Sequence, residues 1–299
     1  MQNRSSTDTI INDLIAQQNL PSHFIEIVHK WYLPLCENLV QQHHNKQQTL
    51  YVSINGCQGS GKSTMALFIE KILTKMFELK VANLSIDDFY LTRKERKNMA
   101  KHIHPLLITR GVPGTHDIPL AIKTLKKLAT DHAAIELVRF NKAIDDRADK
   151  SSWHKVNGPM DVVILEGWCM GLEAQSPQAL YSPINELESS EDANGKWRNY
   201  VNEQLCEHYP DLFQMFDTLI MLKAPSFECV YQWRRKQEEK LRQTAKLGTH
   251  VMNDAELGRF IQHYQRLTEH AFTTLPAKAD IVFELGSDQH FQQVTGLSV

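Results

Sequence analysis

The 299-residue sequence is poor in cysteine: it has five, an odd number, and no two of them are spaced as CxxC. This argues against a disulfide framework and against a zinc site built on such pairs, and we expect five reduced thiols. The sequence also lacks an apolar run of the roughly 18 residues that a membrane span needs, and its N-terminus lacks the apolar stretch of a secretory signal. These absences predict a cytoplasmic protein with no membrane partner.

Neither charge sign is in large excess, since the sequence has 33 Lys and Arg residues and 35 Asp and Glu residues. A net charge of −2 excludes a predominantly basic protein that binds nucleic acid. Hydrophobic residues make up 42% of the chain, which is enough for a sizeable core. No internal repeat or sharp change of composition divides the chain into independent halves.

The N-terminal part of the chain is predicted to be helical. Apolar residues between positions 22 and 46 recur close to the helical period, with Ser22 as the N-cap and a bend near Pro34. A shorter helix is predicted over residues 9–17. We therefore expect an N-terminal helical extension over residues 1–48, followed by one compact domain over residues 49–299.

From residue 49 the pattern becomes an alternation of strands and helices. Strands are predicted at 50–55, 81–86, 135–138, 162–165, 218–222 and 281–283. Such alternation predicts an α/β fold with a mostly parallel sheet covered by helices. The polar segment 182–195 interrupts this order and is expected to be an exposed insertion or loop.

The most specific motif is GCQGSGKS at 56–63, which fits GxxxxGK[ST] and stands between a predicted strand and a predicted helix. Its glycines allow backbone N–H groups to converge on phosphate oxygens at the start of the helix. We expect Lys62 to reach the β- and γ-phosphates of a nucleotide and Ser63 to offer its hydroxyl to Mg²⁺. The predicted nucleotide-binding residues are Gly56, Gln58, Gly59, Ser60, Gly61, Lys62, Ser63 and Thr64. A glycine-rich turn without a ligand is the alternative.

Acidic residues follow two of the predicted strands. SIDDFY places Asp87 and Asp88 at the carboxyl edge of the sheet, where such folds bind ligands. We predict that Asp87 accepts a proton from an attacking hydroxyl, whereas Asp88 fits a helix cap and a site residue equally well. VVILEGW ends in Glu166, a candidate for the metal side. The predicted catalytic residues are Lys62, Asp87 and Glu166, and the predicted Mg²⁺ set is Ser63, Asp87 and Glu166.

Two polar loops, RGVPGTHD at 110–117 and NKAIDDR at 141–147, supply candidates for binding an acceptor. Arg110 and Arg147 are not needed for the phosphates, and a planar guanidinium can hold a carboxylate through two hydrogen bonds. The same arginines could simply pair with neighbouring acids, and Asp117 also fits the N-cap of a helix over 118–128. The candidate substrate residues are Asp88, Tyr90, Arg110, Thr115, His116, Asp117 and Arg147.

A helical segment, WRRKQE at 233–238, carries several cations. A charged helical face is usually solvated, yet in a phosphoryl-transfer enzyme such cations could close over a triphosphate. Arg234 and Arg235 therefore join the predicted nucleotide contacts, in a helical lid over about residues 233–253.

Together, GCQGSGKST, SIDDFYLT, RGVPGTHD, NKAIDDRAD and VVILEGW resemble the P-loop kinases related to D-glycerate 3-kinase, a group allied to uridine kinase, phosphoribulokinase and pantothenate kinase. The resemblance covers residues 49 to about 290, with five motifs in one order. It implies a P-loop NTPase-type fold and a phosphotransferase that uses ATP and Mg²⁺. The implied acceptor is a small hydroxy acid, with D-glycerate as the leading candidate. Within it, Lys62 and Ser63 match the phosphate and Mg²⁺ positions, and Asp87 and Glu166 match the two strand-end acids.

Two other functions stay open at this point. One is an ATP-binding regulator with slow turnover, although a protein that only binds ATP has no need of both Asp87 and Glu166. The other is a kinase for a nucleoside or a pantothenate-like acceptor, and a nucleoside would need no partner for a carboxylate.

Overall fold

The computed structural model describes residues 2–244 and 252–297. Its strands are β1 (Leu50–Gly56), β2 (Val81–Ser85), β3 (Ala134–Leu137), β4 (Phe140–Asn141), β5 (Asp146–Arg147), β6 (His154–Asn157), β7 (Val162–Gly167), β8 (Thr218–Lys223), β9 (Ile281–Leu285) and β10 (Phe291–Thr295). Its α-helices are α1 (Gln2–Gln17), α2 (Phe24–Ile27), α3 (Leu33–Lys46), α4 (Lys62–Met76), α5 (Arg93–His102), α6 (Ile118–Thr130), α7 (Glu186–Glu191), α8 (Lys196–Glu207), α9 (Pro210–Phe213), α10 (Phe227–Thr244) and α11 (Asp254–Thr274).

The central sheet has six strands in the order β10-β9-β8-β1-β7-β2. All neighbouring strands are parallel except β10, which pairs antiparallel with β9. Parallel strands end at the same edge, so the residues that follow β1, β2 and β7 come together there. The predicted α/β fold, with a mostly parallel sheet, is confirmed.

Both faces of the sheet are buried. On β7, Val162 and Ile164 belong to the apolar cluster that contains α3 and α4, while Val163 and Leu165 belong to the cluster that contains α6, α8 and α11. Successive side chains of a strand point to opposite faces, so a strand buried on both faces is a continuous apolar run. This is why VVIL predicts a central strand.

The N-terminal helices begin at other points than the sequence indicated. The helix α1 starts at Gln2 and ends at Gln17, and α2 starts at Phe24, whose preceding residue His23 makes no side-chain cap. The predicted capping role of Ser22 is therefore wrong. A π-helical turn over Val28–Tyr32 joins α2 to α3, and Pro34 follows in the first turn of α3, where a missing N–H costs little.

The strand predicted at 135–138 exists, but it does not join the central sheet. Instead β3 pairs antiparallel with β6, and β4 pairs with β5 in a second small ladder. Alternate residues of β3 are exposed, which suits an outer hairpin and not a doubly covered central strand. These two small ladders occupy the segment between α6 and β7. The β4–β5 pair places residues 141–147 over the carboxyl edge of the central sheet.

The segment 182–195 is not simply an exposed loop. It contains α7, in which Leu187 and Glu188 are buried. Arg266 on α11 donates hydrogen bonds of 2.7 and 2.6 Å to the carboxylate of Glu188, and Arg198 on α8 lies 3.0 Å from Asp192. Arg266 is 78 residues from Glu188 in the sequence, so the polar composition of the segment alone indicated exposure.

The described part of the predicted lid is helical. Residues up to Thr244 belong to α10, and Asn253 caps the first turn of α11 through its side chain, but residues 245–251 of the predicted range 233–253 lie outside the described residues. Among the described helices, none is both long and apolar enough to cross a membrane.

Candidate active site

The P-loop follows β1 and leads directly into α4. Gly59 and Gly61 have φ values of 82° and 89°, which glycine adopts without strain. A Cβ atom on Gly59 would lie 2.6 Å from the Cβ of Trp233, so the position has no room for a side chain. Ser60 Oγ and Gln58 Oε1 are buried without a hydrogen-bond partner. The turn and the start of α4 together form an arrangement suited to an anion.

Lys62, Ser63 and Glu166 meet where β7 runs beside β1. The register places Glu166 opposite Ile54, so its carboxylate reaches the P-loop. Ser63 Oγ donates a 2.8 Å hydrogen bond to Glu166 Oε1, and Lys62 Nζ lies 3.8 Å from Oε2. Glu166 is 6% exposed, and its Oε2 has no hydrogen-bond partner. A hydroxyl and a carboxylate are oxygen ligands of the kind that Mg²⁺ prefers, so these residues fit that ion.

Within residues 2–244 and 252–297, no three or more His, Cys, Asp or Glu side chains form a cluster that could hold a metal ion. Such a cluster is not needed for Mg²⁺, which is usually bound by one or two carboxylates, waters and the phosphates of the substrate.

Asp87 lies just after β2 and lines one cleft together with Lys62 and Ser63. Its Oδ2 accepts a 2.6 Å hydrogen bond from Lys142 Nζ, and its Oδ1 accepts one of 2.8 Å from the Tyr90 hydroxyl. Burial alone would raise the pKa of Asp87, but the ammonium groups of Lys142 and Lys62 and these hydrogen bonds lower it to about 2. The carboxylate is therefore ionised at neutral pH, as a proton acceptor must be.

Lys142 is a site residue that the sequence did not single out. It lies in the NKAIDDR segment, and only the β4–β5 pair brings that segment over the cleft. The sequence shows a lysine in a loop that is a candidate for binding the acceptor. It does not indicate which cation of that loop contacts Asp87.

Asp88 does not cap a helix, so that interpretation is wrong. Its Oδ2 accepts a 2.6 Å hydrogen bond from Arg139, and its Oδ1 accepts one of 3.2 Å from the backbone N–H of Phe140. Burial raises the pKa of Asp88 although Arg139 opposes it. Asp88 thus fastens the start of β4 and so helps to fix the loop that carries Lys142.

The loop 110–117 is held by hydrogen bonds to its own backbone and to neighbouring rings. The hydroxyl of Thr115, fully buried, donates to the Val112 carbonyl at 2.7 Å and accepts from the Gly111 N–H at 3.0 Å. Asp117 caps α6 by accepting from the backbone N–H of Leu120 at 3.1 Å, which confirms the alternative interpretation of this candidate substrate residue as an N-cap. The hydroxyl of Thr115 is therefore engaged inside the loop.

His116 lies beneath Tyr90. The two rings stack with centroids 4.7 Å apart, and His116 Nδ1 lies 2.6 Å from the hydroxyl of Tyr209. Burial lowers the pKa of His116 to about 4, so the ring is neutral at pH 7. Its Nε2 is buried without a hydrogen-bond partner. His116 therefore supports Tyr90, which in turn donates to Asp87.

The two candidate arginines of the acceptor site occupy different places. Arg110 lines the cleft and forms an ion pair with Asp145. Arg147 lines a separate groove, where its Nη2 lies 3.2 Å from both Asp117 Oδ2 and the Tyr90 carbonyl. The structure thus brings Arg110, but not Arg147, to Asp87 and the P-loop.

The cleft itself measures about 360 Å³ and extends from the P-loop to α10 and α11. Arg234 on α10 lines it and pairs with Glu238, whereas Arg235 is exposed and lies 3.5 Å from both Glu239 and Asp254. Residues of the cleft are Gln58, Gly59, Lys62, Ser63, Asp87, Tyr90, Arg110, Lys142, Trp168, Arg234, Gln237, Phe260 and Tyr264. Trp168 is 4% exposed, and its indole N–H donates to the Gly111 carbonyl.

A parallel sheet with a P-loop after its central strand and acids at the adjoining strand ends defines the P-loop NTPase class. No family model matches the chain. The chain is 35% identical over 228 residues to the kinase mug58 of Schizosaccharomyces pombe, covering 71% of this chain and 77% of that protein. It is 29% identical over 255 residues to the chloroplastic D-glycerate 3-kinase of Arabidopsis thaliana, covering 79% of this chain and 53% of that protein.

The chain belongs to the family of P-loop kinases that includes these two proteins. It spans about half the length of the Arabidopsis relative. A D-glycerate 3-kinase from Cryptococcus neoformans has the same fold, with a TM-score of 0.72, 22% sequence identity, and coverage of 87% of this chain and 97% of that one.

Proposed function

We propose that this protein transfers the γ-phosphoryl group of ATP to a hydroxyl of a small hydroxy acid, with D-glycerate as the acceptor. The proposal rests above all on the convergence of Lys62, Ser63 and Asp87 on one cleft that also contains Arg110, with Glu166 hydrogen-bonded to Ser63 behind it. The similarity to a protein named D-glycerate 3-kinase supports the choice of acceptor.

In the proposed mechanism the acceptor hydroxyl lies beside Asp87. Its oxygen forms a bond to the γ-phosphorus while the bond from that phosphorus to the β,γ-bridging oxygen breaks, and ADP leaves with the bond's electron pair. The hydroxyl proton passes to the carboxylate of Asp87. The backbone of the P-loop and Lys62 stabilise the negative charge of the phosphates. Mg²⁺, held by Ser63 and Glu166, would supply further neutralisation of that charge.

Lys142 controls the pKa of Asp87 in this mechanism. The ammonium group of Lys142 pairs with Asp87 at 2.6 Å, with 61% of its side chain exposed. An incoming phosphoryl group or acceptor carboxylate offers it a competing anion. Departure of Lys142 would remove part of the charge that keeps the pKa of Asp87 low, and Asp87 would become a better proton acceptor.

The acceptor carboxylate is assigned to Arg110, while Arg147 is assigned a positioning role. Arg110 lines the cleft, and its partner Asp145 is itself about one-third exposed, so the pair can open toward a ligand. Arg147 holds Asp117 and the Tyr90 carbonyl and thereby fixes the loop. Arg234 contacts the triphosphate from α10 in this proposal, and the exposed Arg235 contributes no specific contact.

Replacement of Arg110 by alanine is expected to raise KM for D-glycerate about tenfold or more while changing KM for ATP less than about twofold, because one charge-assisted contact to the acceptor is lost. Arg259→Ala, at an exposed arginine paired with Glu191, is the matched control. Steady-state kinetics with both substrates measure the effect. Wild-type turnover of glycerol as fast as of D-glycerate would contradict the assignment, since glycerol has no carboxylate.

A further inference from the structure

Asp145 lies in the turn between β4 and β5 and has an uncommon backbone conformation. Its φ value is 55°, in the left-handed region that residues other than glycine, asparagine and aspartate rarely adopt. The turn is anchored there, because Arg96 Nη2 donates a 2.6 Å hydrogen bond to the Asp145 carbonyl. The backbone thus fixes where the carboxylate of Asp145 stands.

The anchor, Arg96 on α5, has a fully buried side chain. Its guanidinium also donates hydrogen bonds to the carbonyls of Leu91, at 3.2 Å, and Ile108, at 2.6 Å. Its Nη2 lies 3.1 Å from Asp145 Oδ1, and it forms no other ion pair in the described part of the chain. A buried guanidinium held by these contacts cannot turn away, so Asp145 keeps this cationic partner whatever enters the cleft.

The same carboxylate oxygen of Asp145 also contacts Arg110. Its Oδ1 pairs with Arg110 Nη1, and the two side chains are 32% and 26% exposed, respectively. Arg110 lines the cleft together with Asp87, whereas Asp145 is not among the residues that line it. Of the two arginines on Asp145, Arg110 is therefore the one that a ligand in the cleft can reach.

We infer that Asp145 competes with the acceptor for Arg110, because its carboxylate occupies the guanidinium that the acceptor's carboxylate must bind. The inference rests on the proposed function, which assigns the acceptor carboxylate to Arg110. When a hydroxy acid enters, Arg110 turns to the ligand while Asp145 stays paired with Arg96, so neither carboxylate loses its cation. Asp145 takes Arg110 back when the phosphorylated product leaves.

This competition makes Asp145 a specificity-determining residue. A neutral alcohol brings no charge with which to displace Asp145 from Arg110, whereas a hydroxy acid does. The cost of displacing Asp145 also weakens the binding of the acceptor and of the product, both of which carry the carboxylate. Removing the charge of Asp145 is therefore expected to tighten the binding of both.

Asp145→Asn tests this competition. Asparagine tolerates the left-handed backbone and keeps an oxygen that accepts from Arg96, but it has no charge to hold Arg110. KM for D-glycerate is expected to fall about three- to fivefold, the size expected for a partly exposed ion pair, and KM for ATP should change less than about twofold. The inhibition constant of the phosphorylated product should fall with KM for D-glycerate. Asp149→Asn, at an exposed carboxylate without a cap hydrogen bond, makes the same change of charge and should alter neither value.

A second background shows whether the effect passes through Arg110. In Arg110→Ala, adding Asp145→Asn should change KM for D-glycerate less than about twofold, because no guanidinium remains to be released. If the three- to fivefold fall persisted there, it would reflect only the loss of a negative charge near the cleft, and the competition would be overturned.

Asp145→Asn also leaves the buried Arg96 without a carboxylate, which destabilises the fold. Asp145→Gly adopts a φ of 55° without strain, and its kinetics decide if Asp145→Asn does not fold. An unchanged or higher KM for D-glycerate in a folded variant would overturn the inference and leave the proposed function standing. If the wild-type protein phosphorylated no hydroxy acid, the proposed function would fail, and this inference with it.

Discussion

Replacing Asp87 with asparagine is expected to lower kcat by about a hundredfold or more while leaving the affinity for ATP nearly unchanged. The amide keeps the shape of the carboxylate but cannot take the acceptor's proton, and loss of a general base typically has an effect of this size. Lys142 and Tyr90 contact the two carboxylate oxygens, so the replacement also weakens an ion pair within the cleft.

The pH dependence follows from the pKa of Asp87, which is lowered from 3.8 to about 2. A carboxyl group whose pKa is lower in the folded state stabilises the fold above its unfolded pKa, and that stabilisation is lost as pH falls through its folded value. In the free enzyme, where Lys142 and Lys62 hold this pKa low, Asp87 gives no acidic limb to kcat/KM above about pH 4. Asp211→Asn, at an exposed carboxylate, is the control. If Asp87→Asn lowered only ATP affinity, the residue would belong to the metal side and not to the proton transfer.

Replacing Lys62 with alanine is expected to abolish measurable turnover while the protein stays folded. Lys62 is the first residue of α4 and is the P-loop cation placed to reach the phosphates, so its loss removes charge stabilisation where the transferring group becomes most negative. Among the described residues it forms an ion pair with Glu166, at 3.8 Å. Removal of a positive charge from the helix N-terminus is favourable and offsets the loss of this 3.8 Å ion pair, so the melting temperature should change little.

The measurements for this variant are ADP release and thermal unfolding monitored by circular dichroism. Lys101→Ala, at an exposed lysine in the last turn of α5, is the control and should retain wild-type turnover. Activity of Lys62→Ala equal to that of the wild type would rule out the P-loop as the nucleotide site.

The central part of the site was predictable because short sequence segments determine it. The P-loop is continuous in sequence, and Glu166 ends an apolar run that can only be a buried strand, so the sheet brings it to Ser63. Asp87 follows from the same rule on β2. The comparisons show the kinase family independently of the assignment of individual site residues.

The periphery of the site was not predictable because tertiary contacts decide it. Lys142 reaches Asp87 because β4 pairs with β5. The strand β3 pairs with β6 and not with a strand of the central sheet. Arg147 lies in a polar loop, as Arg110 does, yet its side chain contacts Asp117 and does not enter the cleft.

The most direct test of the account is ³¹P NMR of the wild-type protein mixed with ATP, Mg²⁺ and D-glycerate. We expect the γ-phosphate signal of ATP to disappear while ADP and a phosphomonoester of glycerate appear in equal amounts. Glycerol, uridine, pantothenate and ribulose 5-phosphate in place of D-glycerate should give no comparable product. Conversion of ATP only to ADP and inorganic phosphate, or persistence of ATP beside D-glycerate, would contradict it.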